Sequence, residues 1–146
     1  RTAVASDRRA WEQAEHGSVM MLVPAGVLIV LILASLALDR ALVFGAQRDL
    51  VATAQAAAKD AVALGVDPDE LRGNGLIVLD PDRVERAVDA VVAADGAAIA
   101  ATWDIRGATV VVHLERPVRY LLSPAVPGGP RTELVSATAE AELHRR

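Results

Sequence analysis

Ser18–Leu38, SVMMLVPAGVLIVLILASLAL, runs for 21 residues without a charged side chain. At about 1.5 Å per residue, a helix of that length covers roughly 30 Å, the thickness of a bilayer's hydrocarbon core. A soluble core helix apolar on every face needs a large protein around it, and a chain of 146 residues leaves too little. A cleaved secretory signal has a shorter apolar region and an A-x-A-like site. Here the run is longer, and only Ser35-Leu36-Ala37 loosely resembles such a site. The expected element is one transmembrane helix, anchored through residues such as Val19, Pro24 and Leu38. Pro24 removes the backbone bond to the Met20 carbonyl and is expected to bend the entry.

Charge on either side biases the orientation little. Arg1, Arg8 and Arg9 precede the span; Arg40, Arg48 and Lys59 follow it. A cytoplasmic tail over residues 1–17 with the remainder outside is expected because single-span proteins with short amino tails usually insert that way. The whole chain carries a formal charge of −4 and a pI near 5.3, which speaks against a nucleic-acid partner. It has no cysteine, so neither a disulfide framework nor a thiolate metal site is available.

Beyond the span, Asp39–Leu64 consists of strong helix formers without proline. Leu42, Ala46, Leu50, Ala54, Ala57, Ala61 and Leu64 recur at steps of three and four, giving one apolar stripe. The spacing predicts a rod from Ser18 to Leu64, about 70 Å long. Its first half would lie in lipid and its second half, residues 39–65, would be amphipathic. Gly65 offers a left-handed cap, and Asp67-Pro68 forbids continuation.

Asp67-Pro68-Asp69-Glu70 and Asp80-Pro81-Asp82 supply clustered carboxylates, but their spacing fails the calcium-loop pattern. Each reads instead as an Asp N-cap, a Pro at the first helical position and acids in the first turn. The second pair opens a helix over Pro81–Ala94, with Val84, Ala87, Val88, Val91 and Val92 on one side. Leu76-Ile77-Val78-Leu79 takes no secure assignment.

From Ile99 the period becomes two. IAATWDI, a turn at Arg106-Gly107 and ATVVVHLERPV predict a hairpin. A proline- and glycine-rich loop leads to a third strand, Thr132–Leu143, where Val135, Ala137, Ala139, Ala141 and Leu143 alternate with polar residues. Small residues on that face would let the alanine-lined rod approach closely, so Leu50, Ala54, Ala57 and Ala61 are expected to meet Ala137 and Ala139. The reading is an α+β, pilin-like fold. A long helix packs on a three-stranded antiparallel sheet with one or two short helices, and residues 66–146 form the head.

No active site stands out. His16, His113 and His144 lack partners at metal-ligand spacing, and Gly73-Asn74-Gly75 reads as a turn rather than a phosphate loop. Ser123, His113 and Asp104 are the residue types of a triad, but nothing in the pattern singles them out. No cofactor or small-molecule substrate is indicated.

Glu15-His16-Gly17-Ser18-Val19, an apolar run, Asp39-Arg40, Gln47-Arg48-Asp49-Leu50 and Ala56–Leu64 follow in that order. This order resembles the amino-terminal part of TadE/TadG-like proteins of tight-adherence (Flp-type) pilus assembly, especially actinobacterial ones. VVVHLERPV and the closing ELVSATAEAEL are similar to the sheet that ends such proteins. The resemblance implies a single-pass protein of the cytoplasmic membrane with its head extracytoplasmic. Its implied partners are pilin-like or pilus-assembly subunits, the membrane platform and the lipid bilayer. Gly17 and Ser18 would form a leader-processing site if one exists. The fifth residue after Gly17 is Leu22, where cut pilins commonly carry an assembly glutamate, and no carboxylate occurs between Gly17 and Asp39. The function expected is a membrane-anchored accessory component of the pilus or of a related type II/IV-like secretion apparatus. The alternatives are a cleaved pseudopilin in the filament and an anchored extracytoplasmic binding or hydrolytic domain.

Overall fold

One helix, α1 (Val4–Leu64), provides the backbone of the molecule. The computed structural model describes residues 4–125 and 127–143, with side chains described at Met20 and from Leu22 onward. Two shorter helices follow, α2 (Pro68–Asn74) and α3 (Pro81–Asp95). Then come three strands, β1 (Ala100–Arg106), β2 (Thr109–Arg119) and β3 (Thr132–Glu142), with a single 3-10 turn at Ser123–Ala125. The architecture is α+β with a pilin-like layout.

The helix begins at Val4 rather than at Ser18, so the tail before the apolar stretch is helical as well. Residues 4–17 contain no proline to stop it. From Leu22 to Leu38 every described side chain except Ser35 is exposed, with Leu28 at 58% and Leu31 at 60%. An 18-residue window in this helix reaches a mean hydropathy of 2.4, and the element is long and apolar enough to cross a bilayer. The upper half is different: Leu50, Ala54, Ala57 and Ala61 are fully buried.

The sheet runs β1-β2-β3, antiparallel throughout. Register places Trp103 opposite Val112, and Val112 opposite Ala139, all on the face turned to the helices. α1 lies across β2 and β3, while α3 packs beside α1 and reaches β1. The core joins Leu50, Ala54, Ala57 and Ala61 to Val84 and Val88 of α3, to Val110, Val112 and Leu114 of β2, and to Val135 and Ala137 of β3. Alanine on both the helix and β3 leaves little side chain between the two layers where they meet.

Local chemistry accounts for the shorter helices. Asp67 accepts from the Asp69 and Glu70 amides at 2.8 and 3.4 Å, and Asp80 accepts from the Asp82 amide at 2.9 Å. Both are N-caps in front of a first-turn proline. Gly75 and Gly96, at φ +66° and +71°, close α2 and α3 in the left-handed conformation. Gly73 and Asn74, expected in a turn, are the last residues of α2.

Gly65 departs from expectation. It is absent from the positive-φ glycines, so it is no left-handed cap. Its amide donates to the Ala61 carbonyl at 2.9 Å and its carbonyl accepts from Asp80 at 2.8 Å. Glycine is required there by space: a Cβ would sit 2.3 Å from the Ala61 oxygen and 2.6 Å from Val84 Cγ2. The apolar run Leu76–Leu79, which precedes α3, is irregular chain; Leu79 forms an isolated bridge to Val66 and belongs to the core.

The stripe on α1 also differs at its ends. Leu42 and Leu64 are 42% and 62% exposed, whereas Asp39 is buried and Val43 is half-buried. Leu42 sits one residue, about 100°, from Val43 and so turns off the sheet. Leu64, at the last helical position, borders the groove beside Ala87 and Ala90 of α3 instead of entering the core. In the hairpin, Arg106 pairs with Thr109, so the turn residues are Gly107-Ala108 rather than Arg106-Gly107. Only Gly107 has positive φ, at +65°, and the one-residue shift puts glycine at the first central position.

Candidate functional site: the junction of rod and head

Asp39 is the first charge after the apolar stretch, and it faces inward at the lower edge of the head, 1% exposed. Its Oδ1 accepts from the Leu121 and Leu122 amides at 2.9 and 3.1 Å. Its Oδ2 accepts from the Ser123 amide at 2.7 Å and the Ser123 hydroxyl at 2.5 Å. Three successive backbone amides thus converge on one carboxylate, a cradle suited to negative charge. Burial pushes the carboxyl pKa up, but the Ser123 hydroxyl and the three amides outweigh it, leaving it lowered from 3.8 to about 2. The group stays ionised and ties the β2–β3 loop to α1.

Other polar ties lie along the rod. Arg40 stands 3.6 Å from Glu133, and the Tyr120 hydroxyl donates to the same Glu133. This bond holds the Tyr120 phenol above its ordinary pKa. Gln47 Nε2 donates to the Ser136 carbonyl at 2.7 Å. Thr53 donates to Asp95 Oδ2 at 2.7 Å, and Arg116 lies 4.0 Å from Asp95 on its other oxygen. A shallow groove of about 430 Å³ opens between Arg40, Phe44 and Gln47 on α1 and Glu133–Ser136 on β3.

The residues expected to bind rod to sheet do come together. Leu50, Ala54, Ala57, Ala61 and Ala137 share one buried cluster, and half-buried Ala139 packs against it. Pro24 lies inside α1, and Leu38, 58% exposed, has no place in the core. Gly17, Ser18 and Val19 lie within α1, but their side chains fall outside the described residues. The triad-type residues are each engaged elsewhere. Ser123 serves Asp39, Asp104 pairs with Arg106 at 2.9 Å, and His113 meets Thr138 and Glu115 on the sheet's outer face. Among the described residues no cluster of three or more His, Asp or Glu side chains has metal-binding geometry.

Asp39 was legible in the sequence only as a flanking charge. Its step of four to Val43 and its continuation through Ala46, Leu50 and Ala54 place it on the inward stripe, which is the one available signal. Its partners lie more than eighty positions away in a loop whose path no periodicity reports. No protein-family model, curated protein or solved structure matches the chain.

Proposed function

We propose that this protein is a membrane-anchored, pilin-like accessory subunit of a tight-adherence pilus or a related type II/IV-like secretion apparatus, with its head outside the cytoplasmic membrane. One observation carries the reading. A single uninterrupted helix presents an exposed, charge-free apolar half and then becomes the central packing element of a small α+β head. A helix built this way holds its head at a fixed height above the bilayer, whereas a flexible tether would let it roam.

The accessory role rests on the span itself. An intramembrane carboxylate is costly and is kept where it meets a neighbouring charge. Leu22 occupies the position where a polymerising pilin would carry one, and the next acid, Asp39, is consumed by the chain's own loop. The span therefore offers no charge for register in a stack of helices. Deleting the gene is expected to reduce or abolish piliation, while sheared filaments contain the chain only in trace amounts. The membrane-bound form is expected to retain the residues before Gly17. Quantitative mass spectrometry of filaments and membranes reads both; a dominant filament protein cut at Gly17 would establish the pseudopilin alternative instead.

A further inference from the structure

The β2–β3 loop does not extend away from the rod. It folds back along it: Ser123, Gly129 and Pro130 face Ile32, Ser35 and Leu36 of α1 across a cavity of about 200 Å³. Those helix residues precede Asp39 and belong to the charge-free stretch. Counting back from Asp39 at about 1.5 Å per residue, this part of the loop reaches roughly 5–10 Å below the Asp39 level. This matches the depth to which interfacial segments enter the headgroup–acyl boundary, roughly 5–10 Å.

The loop is composed for that depth. Between Arg119 and Arg131 no residue is charged. Leu121 is 71% and Leu122 38% exposed, and Pro124 and Ala125 are exposed beside them. Exposed Arg119 and Arg131 flank the apolar tip together with Tyr120, and Arg40 extends the ring from α1. Aromatic and basic side chains at such a level are those that anchor at lipid headgroups.

Backbone chemistry supplies an independent observation. Irregular chain enters the membrane interface at lower cost when its N–H donors are satisfied within the protein. From Tyr120 to Ala125 every backbone N–H has a partner inside the protein or is missing. Tyr120 donates to Arg131, Leu121, Leu122 and Ser123 donate to Asp39, Pro124 has no N–H, and Ala125 donates to Leu122. The Asp39 carboxylate thus removes from solvent the three amides that would otherwise need water.

We propose that the β2–β3 loop is a second membrane contact: Leu122, Pro124 and Ala125 enter the interface of the leaflet on the head's side, with Leu121, which borders Ala41 and Leu42, at headgroup level beside Arg40, Arg119 and Arg131. The occupant of this surface is lipid, because the loop shares its height with a helix segment that the anchor reading places in the bilayer. The inference rests on that reading and is independent of the pilus assignment and of which side the head occupies. Its consequence is orientational. Two contacts, helix and loop, fix the tilt and rotation of the head, which one helix alone would not.

The cysteine-free chain allows a direct test. Full-length Leu121→Cys, Ala125→Cys, Leu31→Cys and Leu76→Cys variants carry an environment-sensitive NBD label in phosphatidylcholine–phosphatidylglycerol vesicles, with and without nitroxide-bearing lipids. Leu31 reports the anchor, and Leu76, 54% exposed on the connection from α2 to α3, reports the head away from lipid. Expected is blue-shifted emission with several-fold stronger quenching at 121 and 125 than at 76, the loop labels responding most to shallow nitroxides and the Leu31 label to deep ones. If either loop label behaves like the Leu76 label while the Leu31 label is quenched, the loop contact is wrong and the anchor stands. An unquenched Leu31 label overturns the anchor reading and the loop contact together.

Discussion

The two halves of α1 share a backbone and almost nothing else. From Leu22 to Leu38 the helix is apolar on all sides and its side chains meet no protein core; above Asp39, one alanine-rich stripe is sealed under a sheet. Uniform hydrophobicity makes a helix for lipid, and one-sided hydrophobicity makes a helix for a core. The change occurs at a single turn. Asp39 marks it, with its charge turned inward to the head.

If the halves are as distinct as this, equal truncations must have unequal effects. Leu50→Ala removes a fully buried side chain and is expected to cost about 2–5 kcal/mol of head stability, whereas Leu31→Ala leaves the head unchanged. Denaturant titration of the detergent-solubilised chain, followed by Trp103 fluorescence in a Trp11→Phe background, measures both. Comparable losses would mean that the lower half also supports the head.

The upper end of the rod is expected to be intolerant for a different reason. Gly65→Ala forces a methyl against Val84 and the Ala61 carbonyl and is expected to cost about 1–3 kcal/mol in the same titration. Gly45→Ala, in open space on the same helix, should be neutral or slightly stabilising. On the sheet, Ala137→Leu overpacks the buried face at about 1–3 kcal/mol, while Thr138→Leu on the outer face stays within about 0.5 kcal/mol. Equal effects at 137 and 138 would invert the register of β3.

The most specific effect belongs to the junction, where it is read as a dependence on pH. The folded pKa of Asp39, about 2, lies below its unfolded value of 3.8, so its contribution is fully present above that value and is lost as pH falls toward 2. Stability of the wild type should therefore drop between pH 4 and 2 more steeply than that of Asp39→Asn. Parallel curves from acid titrations of the two proteins would remove the carboxylate from the linkage.

The sequence is most legible where one physical constraint acts over many residues. The charge-free run, the alanine stripe and the period-two alternation of β3 each repeat a single requirement; β3 and the far end of α1 at Leu64 appear near their expected bounds, while α1 extends back to Val4 beyond its expected start. Legibility fails where the constraint is a single distant contact. Gly65 reads as a cap because its true reason, the Val84 methyl, comes from another helix. Leu42 and Leu64 satisfy the spacing rule yet lie to one side of the sheet or beyond the core. The Asp39 cradle depends on where a loop without periodicity returns, and local pattern carries no record of that.

The central claim is that one helix changes environment at Asp39. Single cysteines along α1 of the otherwise cysteine-free chain, probed in native membranes with a membrane-impermeant maleimide, test it directly. Phe44→Cys and Ala56→Cys, both exposed on the upper half, are expected to react rapidly from the side on which the head lies. Leu28→Cys and Leu31→Cys, equally exposed in the isolated chain, are expected to stay unlabelled until detergent is added. Labelling of 28 and 31 at the rate seen for 44 and 56, in intact membranes, would contradict the account.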